Sequence, residues 1–209
     1  MRLEKDRIQV DAQPVDASTR FYMMMNKPRG VVTSASDEKG RKTVYDFLGA
    51  DLPWLAPVGR LDMASEGLLL VTNDSEWADR VLAPQEHLDK TYHVHINRLA
   101  DPDLLDSMLR GVQTSDDLLR VKRVHVLRRG TKTCWLEIVL DEGKNRQIRR
   151  ILESLGVEVL RLVRVAVGPL QLGDLPKGGT RLLTSAEKLA IDRALNRSVS
   201  RARRRIQEK

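Results

Sequence analysis

One aspartate stands where the chain would hold a carboxylate rigidly and still leave it accessible. In the segment 59–74 (GRLDMASEGLLLVTND), Arg60 and Asp62 follow a short strand into a turn, and a hydrophobic strand follows Gly67. A nucleophile or general base needs a carboxylate that is fixed in position and open to a cleft. A purely structural interpretation is also open, because aspartate is common in turns and Asp62 could cap this one and pair with Arg60.

A basic segment at 142–152 (EGKNRQIRRIL) offers chemistry for binding anions. Its apolar residues recur with a helical period, which leaves Arg146, Arg149 and Arg150 on the exposed side and flank of a helix. Arginine suits both phosphate contacts and bidentate pairing with a carboxylate. The same pattern is also typical of a solvated basic helix face.

A single aromatic residue, Tyr92, lies in the alternating segment 90–96, which predicts a half-buried strand. An aromatic face in such a strand could stack on a nucleobase. Packing in the core or at a sheet edge is the other interpretation. Because aromatic residues make up only 4% of the chain, the sequence offers no broad stacking surface.

The elements that would position these residues mix strands with helices. Strands are predicted at 21–26, 67–74, 90–96, 118–129, 132–143 and 157–172, and helices at 43–48, 76–84, 101–111, 145–156 and 184–205. Proline at 28 and glycine at 30 indicate a turn after the first strand. Strands with interspersed helices predict an α+β domain.

The composition is that of a globular protein with a basic excess. The 209 residues, 41% of them hydrophobic, suffice for one sizeable domain or two small ones. Residues 197–209 hold six basic residues and one acidic residue, so they carry five of the seven net positive charges. An arginine-rich end attracts phosphate backbones without reading sequence, which favours nucleic acid modestly.

Several classes of protein and site are excluded by the same data. The chain lacks the run of about 18 apolar residues that spans a membrane, and its start lacks the apolar run of a secretory signal, so we expect a cytoplasmic protein. Cys134 alone cannot form an internal disulfide or a cysteine-based zinc site. His93 and His95 would share a strand face, but no further ligand stands at a recognisable spacing, so no metal site is predicted.

Four motifs, in this order, resemble the RsuA family of ribosomal RNA pseudouridine synthases. They are NKPRGVVTS (26–34), GRLDMASEGLLLVTND (59–74), KTYHV (90–94) and EGKNRQIRRIL (142–152). The resemblance covers residues 21–186. It implies a pseudouridine synthase catalytic fold, in which helices flank a mixed, mostly antiparallel sheet with a central cleft.

The resemblance also implies roles for individual residues. Asp62 is the essential aspartate, which attacks C1′ or removes a proton from the sugar; the sequence leaves both open. Arg149 matches the basic partner of that aspartate, which would keep it ionised. Tyr92 matches the tyrosine that packs against the target base, and Arg60 the arginine that fills the space left by the flipped nucleotide.

The remaining expectations concern RNA and cofactors. By the resemblance, the RNA-binding residues are Arg60, Lys27, Lys90, Lys144, Asn145, Arg146, Gln147 and Arg150. The partner is ribosomal RNA or an intermediate of ribosomal subunit assembly, with the large-subunit RNA favoured over the small. Neither a metal nor another cofactor is needed, no membrane is involved, and a monomer is expected.

The expected domain organisation has three parts. Residues 1–20 are a remnant N-terminal segment without a full S4 module, in which 7–16 looks like the last strand of that module. Residues 21–190 form the catalytic domain, and residues 191–209 a basic C-terminal helix and tail. Ser65 stands where relatives more often have threonine, and the hydroxyl is kept.

Two alternatives remain. The first is a non-catalytic RNA-binding or ribosome-assembly protein of the same fold, against which the presence of Asp62, Tyr92 and Arg149 argues. The second is a glycoside hydrolase that pairs Asp62 with Glu66 or Asp74. Such hydrolases use two carboxyl groups about 5–10 Å apart, but the basic helix does not suit a neutral sugar.

Overall fold

The computed structural model describes residues 9–10, 13–14, 19–83 and 88–207, with side chains up to residue 196. The strands are β1 (Gln9–Val10), β2 (Gln13–Pro14), β3 (Tyr22–Lys27), β4 (Ala56–Val58), β5 (Glu66–Thr72), β6 (Lys90–Ile96), β7 (Val112–Gln113), β8 (Leu118–Leu119), β9 (Arg123–Arg129), β10 (Cys134–Leu140), β11 (Val159–Val167), β12 (Leu170–Gln171) and β13 (Thr180–Leu182). The α-helices are α1 (Ser75–Leu82), α2 (Pro102–Arg110), α3 (Gln147–Ser154) and α4 (Ser185–Gln207), and Val44–Phe47 forms a 3-10 helix.

A nine-stranded sheet organises the molecule. Its main order is β13-β3-β5-β11-β6-β10-β9, with β4 beside β5 and β12 beside β11. All pairings are antiparallel except β11 with β5, which is parallel and lasts for two residue pairs. The predicted α+β class and the mostly antiparallel sheet are confirmed.

The sheet divides beside β5. Because β3 pairs with β5 along its whole length, β4 and β11 must share the other edge of β5. β11 meets that edge at Glu66 and Gly67, and β4 takes over from Leu70 to Thr72. Beyond Gly67, therefore, β11 and β4 diverge, and a gap opens between the two halves of the sheet.

Three apolar clusters form the core on the faces of the two halves of the sheet. In the first half, alternate side chains of β5 point to opposite faces, so Leu68 and Leu70 join the cluster under α1 and α4, while Leu69 and Val71 join the cluster under the segment 31–61. In the second half, α2 and α3 cover β6 and β10. Burial on both faces explains why β5 is a continuous apolar run rather than an alternating one.

The structure changes some predicted boundaries. The strand predicted at 157–172 is interrupted at Gly168, and the strand predicted at 118–129 forms two strands, β8 and β9. The predicted strand in 7–16 is instead the antiparallel pair β1 and β2. The predicted boundary at residue 191 falls inside α4, where Ile191 and Leu195 are fully buried.

One expectation concerns a part of the chain that the structure describes incompletely. The arginine side chains of 197–209 lie outside the described residues, so the predicted RNA contact of this tail stays a prediction. Within the described helices, none combines the length and apolarity needed to cross a membrane.

Candidate active site

A cleft of about 540 Å³ occupies the gap between the two halves of the sheet. Side chains from both halves and from the start of α3 line it. They include Val58, Arg60, Leu61, Asp62, Leu70, Lys90, Tyr92, Leu140, Glu142, Lys144, Asn145, Arg146, Gln147, Arg149, Leu162, Arg164 and Val167. The fold thus brings three separate sequence motifs to one concave surface.

The turn that carries Asp62, residues 61–65, is fixed by hydrogen bonds to five successive carbonyl groups. The donors to carbonyls 61 to 65 are, in order, Thr33 Oγ1, the Ser65 amide, the Gly30 amide, Arg149 Nη2 and Lys27 Nζ, at 2.8, 2.9, 2.7, 3.0 and 2.9 Å. Four of the five donors lie outside the turn: Lys27 ends β3, Gly30 and Thr33 lie in the loop after it, and Arg149 lies on α3. The backbone of this Asp62 turn is therefore held from two sides.

Lys27 is the buried anchor of the turn. Its side chain is fully enclosed, and Nζ also donates to the carbonyls of Pro28 and Val31, at 2.9 and 2.7 Å. Burial lowers the pKa of Lys27 to about 8, although the nearby carboxylates of Asp62 and Glu66 oppose the shift. The prediction that Lys27 contacts RNA does not hold in this structure, because the ammonium group is turned inward and its donors are used.

The side chain of Asp62, unlike its backbone, is open to the cleft. It is one-third exposed, and its Oδ2 lies 3.8 Å from Arg146 Nη1. Arg146 precedes α3 with a φ of 48°, the one left-handed non-glycine residue in the described chain. A strained backbone at such a place costs about 1–3 kcal/mol and is common at functional sites. It aims the arginine at the carboxylate.

Arg149 does not form the predicted ion pair with Asp62; Arg146 does. Arg149 lies on the first turn of α3, and its Nη2 bonds the Ala64 carbonyl instead. Its Nε is buried without a hydrogen-bond partner. Burial and the charge of Arg146 lower the pKa of Arg149, while the charge of Asp62 raises it. Arg149 therefore holds the turn under the aspartate rather than the carboxylate itself.

Tyr92 lies on β6, where its neighbours across the sheet are Ile138 and Arg164. It is half-buried and lines the cleft, packed against the apolar clusters of both halves of the sheet. This placement leaves part of the ring available to a planar ligand in the same cleft as Asp62.

Most of the other predicted RNA-binding residues line the cleft with Arg146: Arg60, Lys90, Lys144, Asn145 and Gln147. Gln147 and Arg150 are nevertheless engaged by internal partners. The Gln147 amide donates to the Arg120 carbonyl at 2.9 Å and to Glu142 at 2.6 Å. Arg150 pairs with Asp116 and Asp117 at 3.2 Å each and does not line the cleft.

Residues 21–154 match the protein family described as RNA pseudouridylate synthase. The chain belongs to this family. A ribosomal large subunit pseudouridine synthase B of Bacillus subtilis is 36% identical over 184 residues, which are 87% of this chain and 75% of that protein. An uncharacterized RNA pseudouridine synthase of Aquifex aeolicus is 35% identical over 204 residues, covering 96% and 82%.

A crystal structure of a pseudouridylate synthase has the same fold. Its TM-score with this chain is 0.70 at 30% identity, over 81% of this chain and 72% of that one. The resemblance predicted from the four motifs is thereby confirmed, and the chain is an RNA pseudouridine synthase.

The geometry of this synthase also excludes the predicted carboxylate pairs of a glycoside hydrolase. Glu66 is buried and bound by Arg161 and Lys177, at 2.7 and 2.9 Å. Burial would raise the pKa of Glu66, but the hydrogen bonds from those two cations outweigh it and lower the pKa. Asp74 caps α1 by accepting from the Trp77 amide at 3.0 Å. Neither carboxylate lines the cleft with Asp62.

One residue of the synthase cleft, Arg164, escaped the sequence analysis. It is buried on β11, and its Nε donates to the Leu68 carbonyl at 2.7 Å, which ties the two halves of the sheet together. The available signal was an arginine inside an apolar strand, VLRLVRVAV, where a charge needs a specific partner. With it, six cations and two carboxylates line the cleft: Arg60, Lys90, Lys144, Arg146, Arg149 and Arg164 against Asp62 and Glu142.

Proposed function

We propose that this synthase converts uridine to pseudouridine in ribosomal RNA, more specifically in that of the large subunit, with Asp62 as the catalytic carboxylate. The names of its relatives support the substrate class. The B. subtilis protein is a ribosomal large subunit pseudouridine synthase and matches most of both chains.

The observation that carries the proposal is the contrast within the Asp62 turn. Every carbonyl from 61 to 65 is hydrogen-bonded, whereas the Asp62 carboxylate faces the cleft with Arg146 as its one ion-pair partner among the described residues. Catalysis is faster when the reacting group is held in place before the substrate arrives. A carboxylate that served only to cap the turn would instead be occupied by backbone amides.

The charge of the cleft supports an RNA substrate. Six lining cations exceed the two lining carboxylates, so the positive potential is concentrated where the substrate must enter. Binding of phosphates by lysine and arginine releases counterions and supplies affinity independent of sequence. The target nucleotide must also leave its stack, at a cost of a few kcal/mol.

The reaction then proceeds inside the cleft. With the flipped uracil against Tyr92, Asp62 attacks C1′ or removes a proton from the sugar, and the bond between N1 and C1′ breaks. The base turns and C5 bonds to C1′. In the first route this bond replaces the one between Asp62 and C1′, and in the second the sugar carbon takes its proton back. C5 then loses its proton, and N1 gains one. Arg146 orients the carboxylate of Asp62, and Arg60 occupies the space that the flipped nucleotide leaves.

Release of hydrogen from C5 tests the proposal directly. The purified protein and, in parallel, Asp62→Asn are incubated with unmodified ribosomal RNA that carries tritium at uridine C5. The RNA is supplied first as free large-subunit and small-subunit RNA, and then within immature subunits. We expect the wild type to release tritium from large-subunit RNA and Asp62→Asn to release none while it still binds the RNA.

Other results would redirect the proposal. Release by Asp62→Asn at the wild-type rate would remove Asp62 from the chemistry. Release from small-subunit RNA alone would correct the substrate. No release from any RNA or particle, with binding retained, would leave the non-catalytic RNA-binding function.

A further inference from the structure

Lys90 is the cleft cation whose role the proposed reaction leaves open. It is the first residue of β6, half-buried, and lines the cleft. Its nearest carboxylate in sequence, Asp89, is bound by Lys122 at 2.6 Å and lies 4.0 Å from Arg123. Within the described part of the chain, Lys90 Nζ has neither a hydrogen bond nor an ion pair.

Apolar side chains flank Lys90 on both neighbouring strands. Its partners across the two adjacent strands are Leu140 and Val167, both buried and both lining the cleft. Burial lowers the pKa of Lys90, and the charge of Arg164 lowers it further, whereas Asp89 and Asp141 oppose the shift. An ammonium group carries three donors, and leaving them without acceptors in such a place is costly. Lys90 is therefore prepared for an acceptor that the substrate brings.

The position of Lys90 favours the base as the source of that acceptor. Lys90 and Tyr92 lie two residues apart on one strand, so their side chains are on the same face at about 7 Å. A uracil ring packed against Tyr92 would present a carbonyl edge within reach of Lys90. Phosphate groups have cations of their own in Lys144 and Arg146, which are exposed at the opening.

We propose that Lys90 donates a hydrogen bond to a carbonyl oxygen of the flipped uracil and stabilises the charge that forms there during the reaction. When the N1–C1′ bond breaks, its electron pair goes to N1 and spreads onto O2 and O4. The charge is lost again once C5 bonds to C1′, C5 releases its proton, and N1 takes one up. A donor aimed at developing charge lowers the barrier more than it strengthens substrate binding. This inference rests on the proposed function.

Lys90→Met tests the inference, because methionine keeps the length of the side chain and removes the charge. Single-turnover tritium release at saturating RNA gives the rate of the chemical step, and RNA binding over a range of salt concentrations gives affinity and its salt slope. We expect the rate to fall about 100- to 1000-fold. The dissociation constant should change by less than about threefold and the salt slope should stay constant, because no phosphate contact is lost.

Lys122→Met is the matched control. It removes the same charge at the residue directly before β9. Because Lys122 binds Asp89 and does not line the cleft, the rate of this variant should equal that of the wild type. Thermal unfolding checks that Lys90→Met is folded, and Lys90→Gln replaces it if it is not.

The opposite result, a loss of RNA affinity without a loss of rate, would overturn the inference. A phosphate contact at Lys90 would weaken RNA binding, reduce the salt slope by about one, and leave the saturated rate unchanged. A wild-type rate with wild-type affinity would give Lys90 no part at all. Failure of the proposed function is distinguishable from both, because then the wild type itself would release no tritium.

Discussion

The Asp62 turn and the basic segment 144–150 face each other across the cleft, yet they are held in different ways. The turn uses backbone carbonyls, each bound by a donor from a fixed part of the fold, with Lys27 fully buried beneath it. Apart from Arg149, which donates to the turn, the cations of the basic segment use side-chain ion pairs, such as Lys144 with Asp117 at 3.3 Å. One region is fixed by backbone hydrogen bonds, whereas the other depends on partners that solvent or phosphate can replace.

This difference matches the two tasks of the enzyme. In the proposed reaction, chemistry at C1′ requires the carboxylate to stand within a fraction of an ångström of its productive position. RNA capture requires cations that can adjust to a flexible polyanion, so their free-energy contribution is small per contact and depends on salt. A substitution in the turn, or of Arg149 that holds it, should therefore lower the rate, and one of the other cations in the basic segment should change mainly the affinity.

Gly67→Ala should produce the largest effect, because Gly67 fixes the point where β5 and β11 meet beside the turn. Its φ is +105°, and an added Cβ would lie 2.2 Å from the Arg164 carbonyl oxygen. Overpacking and the left-handed strain cost about 1–3 kcal/mol each, so we expect destabilisation of roughly 2–6 kcal/mol with loss of tritium release. Urea unfolding measures the first effect.

Gly143→Ala is the control for this prediction. Gly143 precedes the basic segment, and an added Cβ there meets no atom within 4 Å. We expect unfolding free energy to change by less than about 0.5 kcal/mol, as for ordinary surface substitutions. Equal destabilisation by the two alanines would remove the distinction between a fixed and an adjustable side of the cleft.

A pair of arginines sharpens the comparison within α3. Arg149→Ala leaves the Ala64 carbonyl without its donor, so we expect about 1–3 kcal/mol of destabilisation and a marked fall in the saturated rate. Arg146→Ala removes an ion pair that is half-exposed, so we expect less than about 1 kcal/mol of destabilisation, with a smaller loss of rate and weaker RNA binding. Unfolding curves and single-turnover kinetics of both variants measure these effects. The reverse ranking would make Arg149 the partner of the carboxylate, as the sequence predicted.

The sequence was sufficient to predict which segments meet, but not how their side chains divide the work. Asp62 and Tyr92 stand in motifs specific enough to identify, and the fold brings both to one cleft. Arg146 and Arg149 are alike in type and three residues apart, a spacing that predicts one helix face, but Arg146 precedes α3. Their roles depend on the left-handed backbone at Arg146, which no residue preference predicts for arginine.

Burial of charge was the second property that residue types could not predict. The resemblance implied an RNA contact for Lys27, but its ammonium group is buried in the structure. Its burial depends on three carbonyls that converge only after the loop following β3 and the Asp62 turn have packed together. Arg164 is the same case on a strand, since its partner, Leu68, is 96 residues away.

Asp117→Asn should produce the smallest effect and test the adjustable side alone. Asp117 binds Lys144 and Arg150, which lower its pKa, so at neutral pH it competes with RNA phosphates for both cations. Exposed ion pairs are weak, so we expect only about twofold to fivefold tighter RNA binding at low salt, with the saturated rate unchanged. The gain should shrink as salt screens the charges. Asp106→Asn, an exposed aspartate of α2 that does not line the cleft, controls for the change in net charge alone. If both variants tighten binding equally, Asp117 does not compete with RNA. The cations of the basic segment would then be bound to their internal partners as firmly as the donors of the Asp62 turn are bound to the carbonyls.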